Sequence, residues 1–382
     1  MKIGFYVPFI DEKPTGVGVY IYEMLSRLVS QVDCVIYTSR PYKLPAWLYG
    51  IEARSCLLGK LPNKSGALAR LSRLAWLNFR AAEDLKRHKV DLLFSFVQEG
   101  AVIGNLKQVM VMHDLTMLRF PFAYSGMHVL FSKYYLPFAL KKSAHTICVS
   151  KSTLNDIVRF FKLKNSPLKV IYEGFDQSVF YPPSRAEITR CMEKYALPKK
   201  YFFYSGTFSK HKNLSFALRA FSRVIEKQPD AYFVLCGRKD SGDFQSLIFI
   251  AKSLGIESRI KMLGYVPRED LRVLMGLSSA YLFPSLFEGF GLAPLEALAT
   301  GARVISSNAG SLPEVIGEGG VLIDPLDEDG WLDAMHDAIS TPWEATVWSQ
   351  RAQRQAAKFS WDLAVYETIE LMRSIAVNSG EN

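Results

Sequence analysis

The chain has little cysteine and no long apolar run, and each shortage narrows what it can be. Its five cysteines (Cys34, Cys56, Cys148, Cys191 and Cys236) are odd in number, and none stands in a Cys-x-x-Cys pair. Neither a disulfide framework nor a zinc site follows. The thiols read as small buried hydrophobes in a reducing compartment. The longest apolar stretches, such as residues 232–236 and 108–112, are strand-sized and far short of a membrane span. The chain opens on a strand-like run at residues 2–7, without the charged, apolar and small-residue pattern of a signal peptide. A cytoplasmic location is the resulting expectation. There is no internal repeat. The acidic run Asp327-Glu328-Asp329 follows a strand and reads as solvated, so it makes no convincing metal-binding carboxylate pair.

What is present is charge, unevenly spread. The net charge is +9, but residues 1–180 hold 24 Lys and Arg against 13 Asp and Glu, a net of +11, and the remainder holds 22 against 24, a net of −2. A basic half-molecule asks for an anionic partner: nucleic acid, an acidic membrane surface or a phosphorylated substrate. No RNA-binding signature and no isolated basic helix module accompanies the charge, so a nucleic-acid partner is not expected. Residues 60–89 form a basic amphipathic stretch in which Leu68, Leu71, Ala75 and Phe79 recur at helical spacing, with Trp76 nearby and Arg70, Arg73 and Arg80 among them. Such a helix suits a membrane interface as well as it suits the cover of a sheet.

A chain of 382 residues suggests two domains. Strand-like runs alternate with amphipathic helical ones, the rhythm of βαβ units on a parallel sheet. Residues 3–7, 34–38, 91–96, 108–112 and 146–149 read as strands, and residues 126–143 as a long aromatic helix. The prolines of Phe180-Tyr181-Pro182-Pro183-Ser184 mark a linker. The rhythm then restarts with strands at 201–205, 231–236, 260–263, 280–283, 304–306 and 320–323. The tail, 343–373, reads as an amphipathic helical segment that returns to the first domain. Two doubly wound halves of this kind bind ligands outside the carboxyl ends of their strands.

The stretch Phe283-Pro284-Ser285-Leu286-Phe287-Glu288-Gly289-Phe290-Gly291-Leu292-Ala293-Pro294-Leu295-Glu296 is the most informative. Two glutamates stand eight residues apart, with a Gly-Phe-Gly turn and a proline between them. The glycines leave backbone amides uncovered, and Pro294 reads as the first residue of a helix. Bare amides feeding a helix N-terminus make a phosphate site, and the flanking carboxylates accept hydrogen bonds from neutral hydroxyls. Phosphate with hydroxyls on both sides describes a nucleotide sugar. An ordinary strand–loop–helix connection with solvated glutamates is the alternative. Upstream, Gly206 at a strand end lets a ligand approach the backbone, with Thr207, Lys210, His211 and Lys212 within reach of a diphosphate placed there. His113 stands at a strand tip, where an imidazole binds a sugar hydroxyl or ties down a loop. The Thr15-Gly16-Val17-Gly18 loop lacks the third glycine of a dinucleotide fingerprint, and no acidic residue ends the next strand, which argues against NAD.

Together these motifs resemble the retaining glycosyltransferases of family 4, which have the GT-B fold, and most of all their mannosyltransferase-type members. The resemblance runs from the first strand to about Trp361 and is strongest over residues 201–325. The Gly16 loop, His113-Asp114, Val149-Ser150, Gly174-Phe175-Asp176, Gly206–Leu214, Gly264-Tyr265-Val266, the paired glutamates, Gly301, Gly310-Ser311-Leu312-Pro313-Glu314 and Phe359-Ser360-Trp361 follow the family's order. It implies an α/β chain with an acceptor-binding Rossmann-like domain at 1–180, a nucleotide-sugar-binding one at 181–358, and a C-terminal helix at 359–382 crossing back to the first. It implies that Glu296 binds the ribose, Glu288 holds the donor sugar, and the amides of Gly289, Phe290, Gly291 and Leu292 meet sugar or phosphate oxygens. Lys212 would neutralise the departing diphosphate, His113 would touch the donor sugar, Val266 would line the donor site, and the Gly16 loop would close over the phosphate.

By the same resemblance no metal and no cofactor is needed beyond the nucleotide-sugar co-substrate, GDP- or UDP-linked, with GDP-mannose favoured. The acceptor would be a glycan or lipid-linked glycan in polysaccharide biosynthesis, met by a peripheral enzyme on an anionic membrane surface. A sugar-nucleotide epimerase or hydrolase of the same fold is the alternative. The sequence departs from the family at Thr207 and His211, where many relatives carry a cation, and at Glu173, where asparagine is usual.

Overall fold

The computed structural model describes residues 1–10, 16–41, 44–58, 67–163, 166–237, 243–341 and 347–377. Thr15, the start of the 60–89 stretch and the head of the 343–373 tail lie outside these. The chain forms two compact units, Met1–Glu173 with Trp361–Asn382, and Gly174–Ser360.

The first unit is built on a seven-stranded sheet, β1 (Lys2–Tyr6), β2 (Asp33–Thr38), β3 (Ala53–Ser55), β4 (Leu92–Ser95), β5 (Gln108–Met112), β6 (His145–Cys148) and β7 (Leu168–Val170), in the order β3-β2-β1-β4-β5-β6-β7. Every pairing is parallel, with Phe5 opposite Ile36 on one side and Phe94 on the other. The strands read as unbroken apolar runs because helices cover both faces, so alternate residues gain nothing by being polar; all of β4 and β5 is buried. Phe5, Phe94 and Phe96 pack edge to face with centroids 4.9–6.1 Å apart. β3 was not expected from the sequence. It is a short, largely exposed edge strand, and so lacks the apolar run that marks the others.

The second unit has six parallel strands, β8 (Tyr201–Ser205), β9 (Tyr232–Cys236), β10 (Ile260–Gly264), β11 (Ala280–Phe283), β12 (Val304–Ser307) and β13 (Val321–Ile323), in the order β10-β9-β8-β11-β12-β13. The helix Leu214–Lys227 buries Leu214, Ala217, Leu218, Phe221 and Val224, spaced three or four apart on one stripe. The segment expected as a linker belongs to this unit. Phe180 is buried, and Arg272 lies 3.9 Å over the Tyr181 ring while donating to the Tyr181 carbonyl at 3.1 Å. Gly276 makes room for Pro183, which a Cβ there would meet at 2.8 Å. The prolines stiffen a strap that is packed rather than free. A bridge between Phe175 and Ser360 joins the strap to the end of the unit.

The helix Trp361–Val377 packs on the helix Val17–Leu28 of the first unit, with Trp361 2% exposed and its ring 5.8 Å from that of Tyr20. Arg27 donates to Asp362 at 3.1 Å. All five cysteines are buried and unpaired. Among the described residues no helix is long and apolar enough to cross a membrane. Truncating Trp361 to alanine is expected to cost about 3–5 kcal/mol of stability, whereas Tyr366→Ser, at a 62% exposed position of the same helix, stays within about 0.5 kcal/mol. Chemical denaturation of both variants checks the contrast; equal effects would mean that the indole contributes no packing.

Candidate functional site

Both sheets change direction once. In the second unit the change falls between β8 and β11, which are neighbours although β9 and β10 intervene in sequence. Loops leaving the carboxyl ends of such strands part to opposite sides and leave a crevice. The loops here are those that carry Gly206–Asn213 and Pro284–Gly291. The Leu286 amide donates to the His211 carbonyl at 2.7 Å, and Lys212 Nζ donates to Glu288 Oε1 at 2.6 Å. Each of these two side chains keeps about a seventh of its surface exposed, 15% for Lys212 and 14% for Glu288. The ammonium also stands 5.4 Å from the Phe283 ring centroid.

Local backbone geometry aims these groups. Asn213 adopts the left-handed conformation (φ 56°), which asparagine tolerates better than most residues, and its amide donates to Pro325 O at 3.0 Å. That kink turns the Lys210–Lys212 turn into the helix Leu214–Lys227 and leaves Lys212 facing the crevice. Behind Glu288 runs the Gly310-Ser311 turn. Gly310 has φ +62°, and a Cβ there would lie 2.6 Å from Glu288 O, so the backbones approach as only glycine allows. Ser311 donates to the Glu288 carbonyl from its amide (3.3 Å) and its hydroxyl (3.1 Å).

Gly291, at φ 117°, precedes the helix Leu292–Ala299. Pro294 is therefore the third helical residue and not the first, still within the turn whose amides have no intrahelical acceptor. Glu296 projects from this helix with 14% of its side chain exposed, and Arg268 stands 3.6 Å from it and 3.6 Å from Asp176. The guanidinium also lies 5.3 Å from the Phe180 ring centroid. The sequence reading missed Arg268, a single arginine at the start of the helix Arg268–Leu277 with no motif around it. Val266, just before that helix, is buried, while Gly206, Thr207 and Lys210 are exposed. Thus the second unit brings together Lys212 and the Glu288–Leu292 loop, with Glu296 on the helix that follows and Arg268 beside it.

In the first unit the sheet changes direction between β1 and β4. Gly16 (φ 52°) caps the helix that follows β1, and His113 follows β5. The imidazole is turned inward, 6% exposed, with Nε2 2.9 Å from the Phe96 carbonyl and the Tyr20 ring edge-on at 4.9 Å. Because a carbonyl only accepts, Nε2 carries the proton. Nδ1 faces Glu173 Oε1 at 3.8 Å. A sugar hydroxyl that binds this ring has to reach Nδ1, beside Glu173.

Burial holds the Glu173 carboxyl above the usual carboxylate range, with His113 pulling the other way. The buried Tyr20 hydroxyl, without a hydrogen-bond partner among the described residues, is raised by burial and then by Glu173. A carboxyl with a raised native pKa binds its proton more tightly folded than unfolded, so stability falls as pH rises from the ordinary carboxylate pKa through the raised one. Glu173→Gln is therefore expected to melt higher than the parent at about pH 8 and equally at about pH 4. A difference independent of pH would show that Glu173 ionises as an exposed glutamate does.

Residues 188–355 match the family described as "Glycosyl transferases group 1", and residues 14–179 match "Glycosyltransferase Family 4". The chain is 29% identical over 265 residues to the "O-antigen chain mannosyltransferase B" of Escherichia coli, covering 69% of each chain. It is 28% identical over 280 residues to the "Serotype-specific mannosyltransferase WbdA" of Escherichia coli, covering 72% of this chain but 34% of that longer protein. Among solved structures, sucrose-phosphate synthase from Thermosynechococcus elongatus superposes with a TM-score of 0.77 at 16% identity, over 99% of both chains. Two parallel-sheet units of this architecture constitute the GT-B fold, and the chain belongs to glycosyltransferase family 4.

Proposed function

We propose that the protein is a retaining mannosyltransferase that moves mannose from GDP-mannose to a glycan or lipid-linked glycan acceptor, without a divalent metal, in the synthesis of a cell-surface polysaccharide. The observation that carries this reading is the Lys212–Glu288 pair beside the N-terminus of the Leu292–Ala299 helix, at the point where the sheet order reverses. The choice of mannose rests on the mannosyltransferases to which the chain is similar.

In this reading the diphosphate lies against the first-turn amides of the Leu292–Ala299 helix, whose dipole favours negative charge. The bond between the anomeric carbon and the diphosphate oxygen breaks, one to the acceptor oxygen forms on the same face of the sugar, and the acceptor hydroxyl's proton passes to the departing diphosphate. Lys212 Nζ answers the charge that grows on the leaving oxygen. It has three donors, so it meets phosphate while keeping Glu288. Glu288 accepts from hydroxyls of the sugar, and Glu296 accepts from the ribose. Lys212 and the helix supply the positive charge for which other transferases use a metal. Arg268, beside Glu296, supplies a further cation, while the usual family arginine after Gly206 is replaced by Thr207.

A thermal-shift comparison of GDP-mannose, UDP-glucose and UDP-N-acetylglucosamine tests the donor, since a ligand that binds only the folded state raises the melting temperature. GDP-mannose is expected to give the largest shift, and Glu296→Ala to abolish it; a larger shift with a UDP-sugar would overturn the choice of donor. Lys212→Ala is expected to lower kcat by about 10²–10³-fold, and a chelator to leave the rate unchanged. Proton NMR of the product reads the anomeric configuration. Inversion would end the retaining assignment, and free mannose or an isomerised donor would end the transferase one.

A further inference from the structure

We propose that the second unit carries a glycan-binding site at the edge of its sheet opposite the Lys212–Glu288 crevice, where Arg303, Asp333, Asp337 and Trp348 line a cavity of about 300 Å³ and hold neutral sugar residues. All strands of this sheet are parallel, so β12 and β13 begin together at its amino edge. Arg303 immediately precedes β12, and Gly320 immediately precedes β13. The crevice lies at the carboxyl edge. Between the two edges runs β12, four residues long and so roughly 13 Å. The cavity is therefore a separate place on the unit and not an arm of the donor site.

Glycine makes the room. A Cβ on Gly320 would lie 2.7 Å from the Val304 carbonyl oxygen, so that side of the cavity carries no side chain. The helix Glu328–Ser340 forms one wall, on which Asp333 and Asp337 stand four residues apart and so on one face. The helix Val347–Ala356 contributes Trp348, 38% exposed, with Arg351 5.3 Å from its ring centroid. Arg303 is the buried member, with 8% of its side chain exposed. It stands 3.5 Å from Asp337, which is 73% exposed and also accepts from the Thr341 hydroxyl at 3.2 Å. Neither the Asp333 carboxylate nor the Trp348 indole N–H has a hydrogen-bond partner among the described residues.

This mixture of groups selects the ligand. Two carboxylates against one buried guanidinium disfavour a phosphate, and among the described residues no cluster of His, Cys, Asp or Glu could hold a metal ion. An apolar ligand would strip water from Arg303 and the aspartates and return no hydrogen bonds. A neutral sugar meets each group in turn. Its hydroxyl hydrogens go to the carboxylates, its oxygens accept from the guanidinium, and the C–H face of its ring lies on the indole. The volume is at the lower end of ligand-sized pockets, about 300–1,000 Å³, and suits one or two residues of a longer chain. That this chain is the enzyme's acceptor or product rests on the function proposed above; a glycan held at a second point is at raised effective concentration for the first.

Fluorine NMR of the full chain labelled with 5-fluorotryptophan reads the site itself, without any nucleotide. The chain has six tryptophans, and the Trp348 signal is the one lost in Trp348→Phe. Mannotriose at millimolar concentration is expected to move that signal saturably. Asp333→Ala should weaken the binding about tenfold or more, with the melting temperature kept because Asp333 is exposed. Mannose 1-phosphate should leave the signal in place, and Glu296→Ala, in the donor crevice, should leave the mannotriose titration unchanged. Maltotriose run in parallel separates the site from the choice of mannose: if it moves the signal and mannotriose does not, the glycan site stands and mannose falls. The proposal is overturned if neither trisaccharide moves the signal, if mannose 1-phosphate moves it more than they do, or if Asp333→Ala binds as the parent does.

Discussion

The geometry of the candidate site depends on one constraint: strands in a parallel sheet all end at the same edge. β8 and β11 are adjacent because the chain leaves β8 toward β9 on one side and returns to β11 on the other. Their loops are then forced side by side at the carboxyl edge, and Lys212 meets Glu288 across a separation in sequence that no local signal bridges. Each loop also needs a backbone conformation that most residues avoid: asparagine at 213, and glycine at 291 and 310. These positions hold the charged groups in place, which is why the motif contains residues with no chemistry of their own.

Two ion pairs keep the site ready. Lys212 with Glu288 and Arg268 with Glu296 are partly buried, so each charge has lost some water and regains part of that loss from its partner. Neither pair is a strong source of stability, because desolvation offsets much of the Coulomb attraction. Their effect is orientation. A glutamate already held by a cation presents its remaining lone pairs in a fixed direction, and a lysine with three donors has two left for an anion. The same logic applies with the opposite sign at Glu173, where a buried carboxyl faces His113 at 3.8 Å, too far for a hydrogen bond, and its charged form is disfavoured.

Much of the fold was readable in the sequence because buried parallel strands write themselves as apolar runs and the helices between them as stripes. Nearly every expected strand lies within a residue or two of its place, and the exceptions, β3 and β7, are three-residue strands that are not fully buried and have no such run. The strap at Phe180–Ser184 was misread for a related reason. Prolines signal an extended backbone, but whether that backbone is free or packed depends on distant residues, here Arg272 and Gly276. In the site, the paired glutamates and Lys212 were visible as a spacing. Arg268 was not, since its meaning lies in where a helix after β10 points it. The start of the Leu292–Ala299 helix was placed late because Pro294 fits any position of a first turn, and the left-handed Gly291 starts the helix before it.

The excess positive charge of the first half also divides once the structure is known. Arg73 and Arg70 are committed to the buried Glu99, which the Tyr6 hydroxyl bonds as well at 2.6 Å, and Arg119 is committed to Asp156. Those arginines hold loops at the edge of the sheet and add little to the outer field. The exposed lysines of the 126–142 segment, in a stretch without carboxylates, carry no such commitment in their sequence neighbourhood. Net charge alone thus overstates how much of the domain is electrostatically available. Burial decides which cations fix the architecture, and which remain to meet a surface outside it.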